Sequence, residues 1–325
     1  MIVGRDTSVP TTLDELLPAP LLDRLERVDL VSRRYLSGKM QGERRSKRRG
    51  RSVEFDDHRP YAPGDDVRHV NWGLYARLDR FFVKLFLEEE DLGVMMLVDL
   101  SASMFAGSPS KAAFAARAAM ALGSVALVHR SRLHVACFGH RAHPAILTPM
   151  RGRASLPRLG RFLLEQLDDA RRLAGGHTSL ENAVRDVQRA WPGRGLVLLL
   201  SDLIEPGGAA GVAMGLRRLS RLAGTGPGPA GAVVRVLSPG ERDPQLEADL
   251  GLVGDLRLTD AETGAAREVT ITPAMVRRYR ERFAEREQGI ARACSAAGLA
   301  RVDADPGDDV GALVLEQLRR RTIVA

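Results

Sequence analysis

Two short apolar runs without polar alternation stand at the centre of the predicted fold. Val94–Val98 and Leu196–Leu200 contain only Val, Leu and Met, which is typical of strands buried on both faces. From Gly93 onward, similar runs alternate with segments of helical periodicity. Strands separated by helices predict an α/β fold with a doubly wound, mainly parallel sheet. The long helices are predicted at 110–129, 154–167, 179–190, 207–223, 274–297 and 309–321.

The N-terminal third has a different pattern. Residues 1–51 combine short helical stretches with a basic segment. Residues 52–92 contain extended stretches on either side of the turn signal Pro63-Gly64-Asp65. Because an isolated hairpin is marginal in water, these residues are predicted to form a β arm packed on the core of a domain spanning 93–325.

Both central strands are followed by small side chains that carry oxygen atoms. Asp99-x-Ser101-x-Ser103 follows the first strand, and Asp202 follows the second. In open α/β sheets, ligands bind beyond the carboxyl ends of the strands, and oxygen atoms are the ligands that Mg²⁺ prefers. The alternative is structural: the hydroxyls would cap helices, with Thr178 and Glu181 forming a capping box at the helix predicted from 179.

The Asp-x-Ser-x-Ser pattern resembles the metal-ion-dependent adhesion site of von Willebrand factor A domains. The resemblance implies a five-residue metal site made of Asp99, Ser101, Ser103, Thr178 and Asp202. It further implies that the three hydroxyls contact the metal and that the aspartates act largely through bound water. An acidic side chain of a partner protein would fill the open position. The implied cofactor is Mg²⁺, or another divalent cation such as Mn²⁺ or Ca²⁺.

A second motif lies before the first central strand and consists of Arg59, Tyr61, Gly64, Asp65, Arg68, Trp72 and Arg77. Together with the metal motif, with 260–264 and with Tyr279, it resembles a bacterial family of uncharacterised A-domain-like proteins. The resemblance covers about residues 45–320. Genes of this family often lie beside those of MoxR-type AAA+ ATPases. The implied function is that of an adaptor or co-chaperone, with the ATPase and its client as partners.

The charges of this N-terminal motif have two explanations. Its arginines could grip an acidic partner, because the guanidinium group is a planar fork that matches a carboxylate. They could instead form an internal ion-pair network that docks the arm, with Tyr61 and Trp72 as buried anchors. We expect the internal network and a buried Trp72.

Composition indicates the class of protein and its compartment. Hydrophobic residues make up 44% and charged residues 27% of the 325 residues, as in soluble globular proteins. Two cysteines are too few for a disulfide framework, which favours the cytoplasm. The apolar run 112–128 is shorter than the ~20 residues of a membrane span. We therefore expect a core helix there and no membrane span.

The net charge of +7 is concentrated in one segment. Residues 33–51 contain nine Lys or Arg and the single acid Glu43. Such a run, and 43–51 in particular, could bind nucleic acid or anionic lipid, or it could be a solvated linker. Aromatic residues are only 5% and no nucleic-acid motif accompanies the run, so nucleic-acid binding is not expected.

Two catalytic or metal alternatives have weaker patterns. A metal-assisted hydrolase could use Ser101 as nucleophile and His177 as base, but a Gly-x-Ser-x-Gly elbow is absent from the sequence, so an enzyme is not expected. Four residues have zinc-like spacing: His134, Cys137, His140 and His143. Strand alternation places His134 and Cys137 on opposite faces, which predicts an exposed histidine and a buried cysteine instead of a zinc site.

Overall fold

The computed structural model describes residues 9–30, 55–63, 65, 67–86, 93–173, 178–191, 195–205, 207–223, 229–243, 254–259 and 266–325. The chain divides into two compact units. The larger unit combines Met1–Met40 with Leu92–Ala325, and the smaller unit is Gln41–Asp91.

The larger unit is built on a six-stranded sheet. Its strands are β3 (Gly93–Asp99), β4 (Arg132–Phe138), β5 (Ala145–Met150), β6 (Leu196–Ser201), β7 (Gly231–Val236) and β10 (Leu299–Ala304). The spatial order is β10-β7-β6-β3-β4-β5, and only the edge strand β5 is antiparallel to its neighbour. A separate antiparallel hairpin joins β8 (Gly254–Thr259) to β9 (Ala266–Ile271).

Helices cover both faces of this sheet. They are α1 (Leu13–Leu16), α2 (Ala19–Leu25), α4 (Lys111–Val128), α5 (Leu156–Arg172), α6 (Leu180–Ala190), α7 (Gly208–Ser220), α8 (Pro239–Arg242), α9 (Pro273–Ala296) and α10 (Val310–Ala312), the last continued by a π-helical turn, Leu313–Leu318. One core contains Met96 and Val98 with residues from α1, α2, α4, α5 and the π turn. The other contains Met95 and Leu97 with residues from α6, α7 and α9. The predicted α/β fold with a mainly parallel sheet is confirmed.

Alternation along the buried strands explains these two cores. Successive strand side chains point to opposite faces, so adjacent residues of β3 enter different cores. Because both faces are covered, polar strand residues are buried as well. His134 is only 2% exposed and its ring lies edge-on against Trp191, with ring centroids 4.6 Å apart. The prediction of an exposed His134 is therefore wrong, whereas the buried Cys137 on the opposite face is confirmed.

Helix α4 is the most apolar element of the larger unit. Ser110 caps it by accepting a hydrogen bond from the Ala113 N–H. In the described part of the chain, Lys111–Val128 is the one helix long and apolar enough to be a candidate membrane span, and 89% of it is buried inside the protein. A central core helix has the same length and composition, so these properties alone are weak evidence for a span.

The smaller unit contains β1 (Phe55–Pro60) and β2 (Phe82–Phe86), which pair in antiparallel fashion, with a short helix, α3 (Trp72–Leu78), between them. Helix α3 was not predicted from the sequence. It begins because the Asn71 side chain accepts hydrogen bonds from the N–H groups of Gly73 and Leu74. The packing of residues 52–92 on the larger domain stays a prediction.

The N-terminal motif is partly an internal scaffold of this unit. The Arg59 guanidinium donates to both carboxylate oxygens of Asp65, at 2.7 and 2.6 Å. Asp65 also accepts from the Ala62 N–H at 2.9 Å, which closes the turn. This ion pair lies within the smaller unit, and the predicted network that docks the arm on the domain stays a prediction. Gly64 and residues 260–264 lie outside the described residues.

Trp72 does not behave as predicted. It is 63% exposed, and its neighbours Arg68 and Arg77 are exposed as well. Its ring makes edge-on contacts with Tyr75 and Phe81, each at a centroid distance of 6.2 Å. The expectation of a largely buried Trp72 is wrong, because these aromatic contacts leave most of the side chain exposed.

Candidate functional site

The candidate site lies where β3 and β6 end. Val98 of β3 is paired with Leu200 of β6, so Asp99 and Ser201 are the last residues of adjacent parallel strands. Asp202 follows directly. Adjacent parallel strands place these three residues at the same sheet edge, where α/β proteins bind ligands.

Asp99 is a buried carboxylate with two neutral hydrogen-bond donors. Its Oδ1 accepts from the Ser101 N–H at 2.9 Å, and its Oδ2 accepts from the Ser201 hydroxyl at 2.6 Å. Burial, together with the nearby negative charge of Asp202, raises the pKa of Asp99 to about 7, although the hydrogen bonds from Ser201 and Ser101 act in the opposite direction. The described contacts of Asp99 do not include a cation, so a negative charge on this carboxylate is not compensated there.

Ser101 and Ser103 form a pair of buried hydroxyls beside this carboxylate. Their Oγ atoms are 3.2 Å apart, and the residues are 5% and 6% exposed. Ser101 precedes a 3-10 turn, Ala102–Phe105, but its side chain makes no capping hydrogen bond. The structural alternative, in which the hydroxyl serves as a helix cap, is therefore not supported for Ser101.

The loop after β4 passes close to the same turn. Gly139 has a φ of +94°, and a Cβ atom there would lie 2.6 Å from the Ser101 N and 2.8 Å from the Asp99 Oδ1. Only glycine suits this position, because the backbone is left-handed and the space is filled. The loop thus forms one wall of the site.

Thr178 contacts that loop and not the helix that follows it. Its hydroxyl donates to the Arg141 carbonyl oxygen, and the residue is 3% exposed. Ser179 caps α6, accepting from the Asn182 N–H, and Glu181 lies 3.5 Å from Arg218. The predicted capping box of Thr178 and Glu181 is therefore wrong. His177 lies outside the described residues.

Asp202 is fully buried and held at both oxygens. Its Oδ1 accepts from the Ile204 N–H at 2.8 Å, and its Oδ2 lies 2.7 Å from the Lys111 Nζ. The Lys111 Nζ is also 2.5 Å from Glu241 Oε1. Burial opposes the charged form of Lys111, but Asp202 and Glu241 together raise the pKa of its ammonium group above the ordinary value.

Sequence reasoning missed three residues of this arrangement. Ser201 precedes Asp202 directly and could have been noticed as a hydroxyl at a strand end. Lys111 is a charged residue in the first turn of an apolar helix. Because fully buried lysines are rare unless they are paired, its position could have predicted an acidic partner. The pattern Ser238-x-x-Glu241 marks Glu241 as part of a capping box, but it gives no sign of a contact with Lys111, 130 positions away along the chain.

The polar side-chain atoms of Asp99, Ser101 and Ser103 at this edge of the sheet are all oxygens. Within the described ranges, no group of three or more His, Cys, Asp and Glu is arranged to hold a metal. His140 Nε2 lies 3.2 Å from Gln166 Oε1 and His143 pairs with Asp186, so the four residues with zinc-like spacing do not converge. A cation at the sheet edge would depend on hydroxyl oxygens, on Asp99 and on water, a ligand set typical of Mg²⁺.

Comparisons with known proteins place the chain in a family. The uncharacterized protein Rv1480 of Mycobacterium tuberculosis is 27% identical over 276 residues, covering 84% of this chain and 81% of its own length. The uncharacterized protein Mb1516 of Mycobacterium bovis matches with the same identity and coverage. Residues 57–290 match the family described as "Protein of unknown function DUF58". The match includes the N-terminal motif and both carboxylates of the sheet edge, and the chain belongs to the DUF58 family.

Proposed function

We propose that this protein is a metal-dependent protein-interaction module. It binds Mg²⁺, or a similar divalent cation, at the carboxyl edge of β3 and β6 and uses the cation to hold an acidic residue of a partner protein. The observation that carries the proposal is the buried, uncompensated carboxylate of Asp99, with its pKa raised to about 7, beside the Ser101–Ser103 hydroxyl pair. A divalent cation there would stabilise the charged form of Asp99.

The ligand set follows the A-domain resemblance. Ser101, Ser103 and Thr178 would supply hydroxyl oxygens, and Asp99 and Asp202 would act through bound water. The bound cation would supply an electrophilic positive charge for the partner's carboxylate. Because most of its protein ligands are neutral, the cation would keep excess charge for that contact.

The partner class comes from the second resemblance. The N-terminal motif resembles that of A-domain-like proteins associated with MoxR-type AAA+ ATPases, so the proposed function is that of a cytoplasmic adaptor or co-chaperone of such an ATPase and its client. The exposed Trp72 and Arg77 are consistent with a role in binding, whereas Arg59 and Asp65 serve the turn.

A metal-assisted hydrolase that uses Ser101 is the second candidate. An activated serine needs a base within hydrogen-bond reach, and the candidate base His177 lies outside the described residues. Binding of an anionic surface through 43–51 is the third candidate, and that segment lies outside the described residues.

The test compares metal and partner binding in the same variants. Mg²⁺ titration by calorimetry and capture of a purified MoxR-type ATPase are measured for the wild type, Asp99→Ala and a deletion of 43–51. Asp168→Ala is the control, since Asp168 is an exposed carboxylate paired with Arg172 on α5. We expect Asp99→Ala or EDTA to abolish both kinds of binding and Asp168→Ala to leave them unchanged.

Two outcomes would reject the proposal. Full capture by Asp99→Ala in EDTA would exclude a metal bridge. The second outcome is that only the deletion of 43–51 abolishes capture and that capture by the wild type decreases steeply when salt is added. It would assign partner binding to the basic segment.

A further inference from the structure

Lys111 is an unusual residue in this chain. The sequence contains four lysines among 48 basic residues, so arginine is the general cation. Lys111 nevertheless lies at the candidate site, and its side chain is fully buried. An ammonium group is a compact point charge, whereas arginine is a wide planar fork, so this position requires a small cation between two carboxylates.

The position of the ammonium is fixed from both sides. Asp202 Oδ2 lies at 2.7 Å and Glu241 Oε1 at 2.5 Å. Glu241 is itself held, because its Oε2 accepts from the Ser238 N–H at 3.0 Å at the start of α8. On the Lys111 side, the capped N-terminus of α4 fixes the backbone.

The backbone around Asp202 is held as well. The Arg235 Nε donates to the Asp202 carbonyl oxygen at 3.2 Å, and Arg286 donates to the Leu203 carbonyl oxygen at 2.5 Å. Leu203 has a φ of +57°, a left-handed conformation that a leucine rarely adopts. Such strained conformations persist only where surrounding contacts determine them. Asp202 therefore has a fixed orientation.

The two carboxylates of the site are thus unequal. Asp202 has a cationic partner in Lys111, whereas the described partners of Asp99 are a backbone N–H and a hydroxyl. A cation at the sheet edge would be attracted mainly by Asp99. It would also be repelled by the ammonium of Lys111, which Asp202 shares with Glu241.

From this asymmetry we infer that Lys111 is a positioning and specificity-determining residue of the cation site. It holds Asp202 as an ion-paired carboxylate, so that the site by itself binds a divalent cation only weakly. An anionic group of the partner then completes the coordination of that cation. This inference rests on the proposed function. The Lys111 ammonium would be separated from the bound cation by the carboxylate of Asp202. At an effective dielectric constant of about 20, a unit charge at that distance changes the affinity of the protein for a divalent cation by about ten-fold or more.

The test measures cation binding by the full chain. Mg²⁺ and Tb³⁺ are titrated into the wild type, Lys111→Met and the double variant Lys111→Met/Glu241→Gln. The double variant removes one charge of each sign, so of the two carboxylates that lose the ammonium only Asp202 stays charged. Arg117→Met is the matched control, because Arg117 lies on the same helix and its Nε donates to the Glu15 carbonyl oxygen, away from the site.

We expect Lys111→Met to bind Mg²⁺ at least about ten-fold more tightly than the wild type, and to gain still more affinity for Tb³⁺. The double variant should show the same direction of change with a smaller gain, because the negative charge of Glu241 is lost together with the ammonium. The Arg117→Met affinities should equal those of the wild type. A purely structural lysine would not change the preference between the two ions. If Lys111→Met does not fold, the double variant decides the comparison.

A measurement on the wild type needs no substitution. The sequence has four lysines, and in a lysine-selective ¹⁵N spectrum the buried Lys111 should give a slowly exchanging ammonium signal that is missing from the spectrum of Lys111→Met. Saturating Mg²⁺ should shift this signal. An unchanged signal under conditions where Mg²⁺ binds would overturn the inference.

The two proposals fail differently. If the wild type binds Mg²⁺, Asp99→Ala abolishes binding and the Lys111 variants bind like the wild type, the role of Lys111 is refuted and the metal site stands. If the wild type binds neither cation, both proposals are refuted.

Discussion

The Ser201 hydroxyl donates a 2.6 Å hydrogen bond to Asp99 Oδ2 and accepts one from the Leu203 N–H at 2.9 Å. These two bonds connect the end of β3 to the turn that carries Asp202. One hydroxyl therefore connects Asp99, which has no cationic partner among its described contacts, to the turn that carries Asp202, which is paired with Lys111. The other contacts of Asp202, with the Ile204 N–H and the Arg235 side chain, hold the turn in the same arrangement.

Removal of this hydroxyl should weaken both the fold and the charged form of Asp99. We expect Ser201→Ala to lower the free energy of unfolding by about 1–3 kcal/mol, because buried polar groups lose a partner. The Asp99 pKa should rise further, since the Ser201 hydrogen bond lowers it. Urea unfolding and a carboxyl NMR titration measure the two effects. Ser220→Ala, where the hydroxyl bonds within α7 to the Arg217 carbonyl oxygen, should change neither.

The stability of the protein should depend on pH through Asp99. Its pKa is raised to about 7 in the folded protein, whereas an unfolded aspartate titrates near about 3.9. Between these values the folded state binds more protons, so the free energy of unfolding falls as pH rises. This contribution, at most about 4 kcal/mol, is fully present below about pH 4 and is lost through about pH 7.

Urea unfolding between pH 4 and pH 8 measures this dependence. Asp99→Asn should lack this part of the slope, and saturating Mg²⁺ should restore stability to the wild type at pH 8. Identical pH profiles for the wild type and Asp99→Asn would show that Asp99 titrates normally.

The wall formed by Gly139 should tolerate no side chain. Gly139→Ala combines a left-handed φ of +94° with a Cβ only 2.6 Å from the Ser101 N. We expect a loss of about 2–4 kcal/mol in the free energy of unfolding, together with weakened Mg²⁺ binding. Gly152→Ala is the control, because Gly152 has a φ of +74° but no atom within 4 Å of the added Cβ. Equal effects in the two variants would show that backbone strain alone is responsible.

Fluorescence can test the exposure of Trp72. The chain has two tryptophans, and Trp191 is 7% exposed whereas Trp72 is 63% exposed. Trp191→Phe should leave a red-shifted emission that iodide quenches readily, and Trp72→Phe should leave a blue-shifted, protected one. Trp72→Ala should change the free energy of unfolding by less than about 1 kcal/mol. A protected Trp72 in the free protein would indicate that another surface covers it.

Local pattern determined much of the fold. The apolar runs of β3 and β6 were recognised because a strand buried on both faces needs no polar alternation, and the helices between them implied parallel strands. The same reasoning placed Asp99 and Asp202 at strand ends, hence at one edge of the sheet. For the smaller unit, local pattern was less informative. The seven-residue helix α3 depends on the Asn71 cap, and a short helix has little periodicity to recognise.

Only the tertiary structure decided how the buried charges of the site are balanced. Lys111 contacts Asp202 and Glu241, which lie 91 and 130 positions away. Likewise, the hydroxyl of Thr178 bonds the Arg141 carbonyl oxygen and does not cap α6. Periodicity reports whether a position is buried and which face it occupies. It carries no information about which distant side chain compensates a buried charge, because that depends on how the helices and loops pack around the sheet.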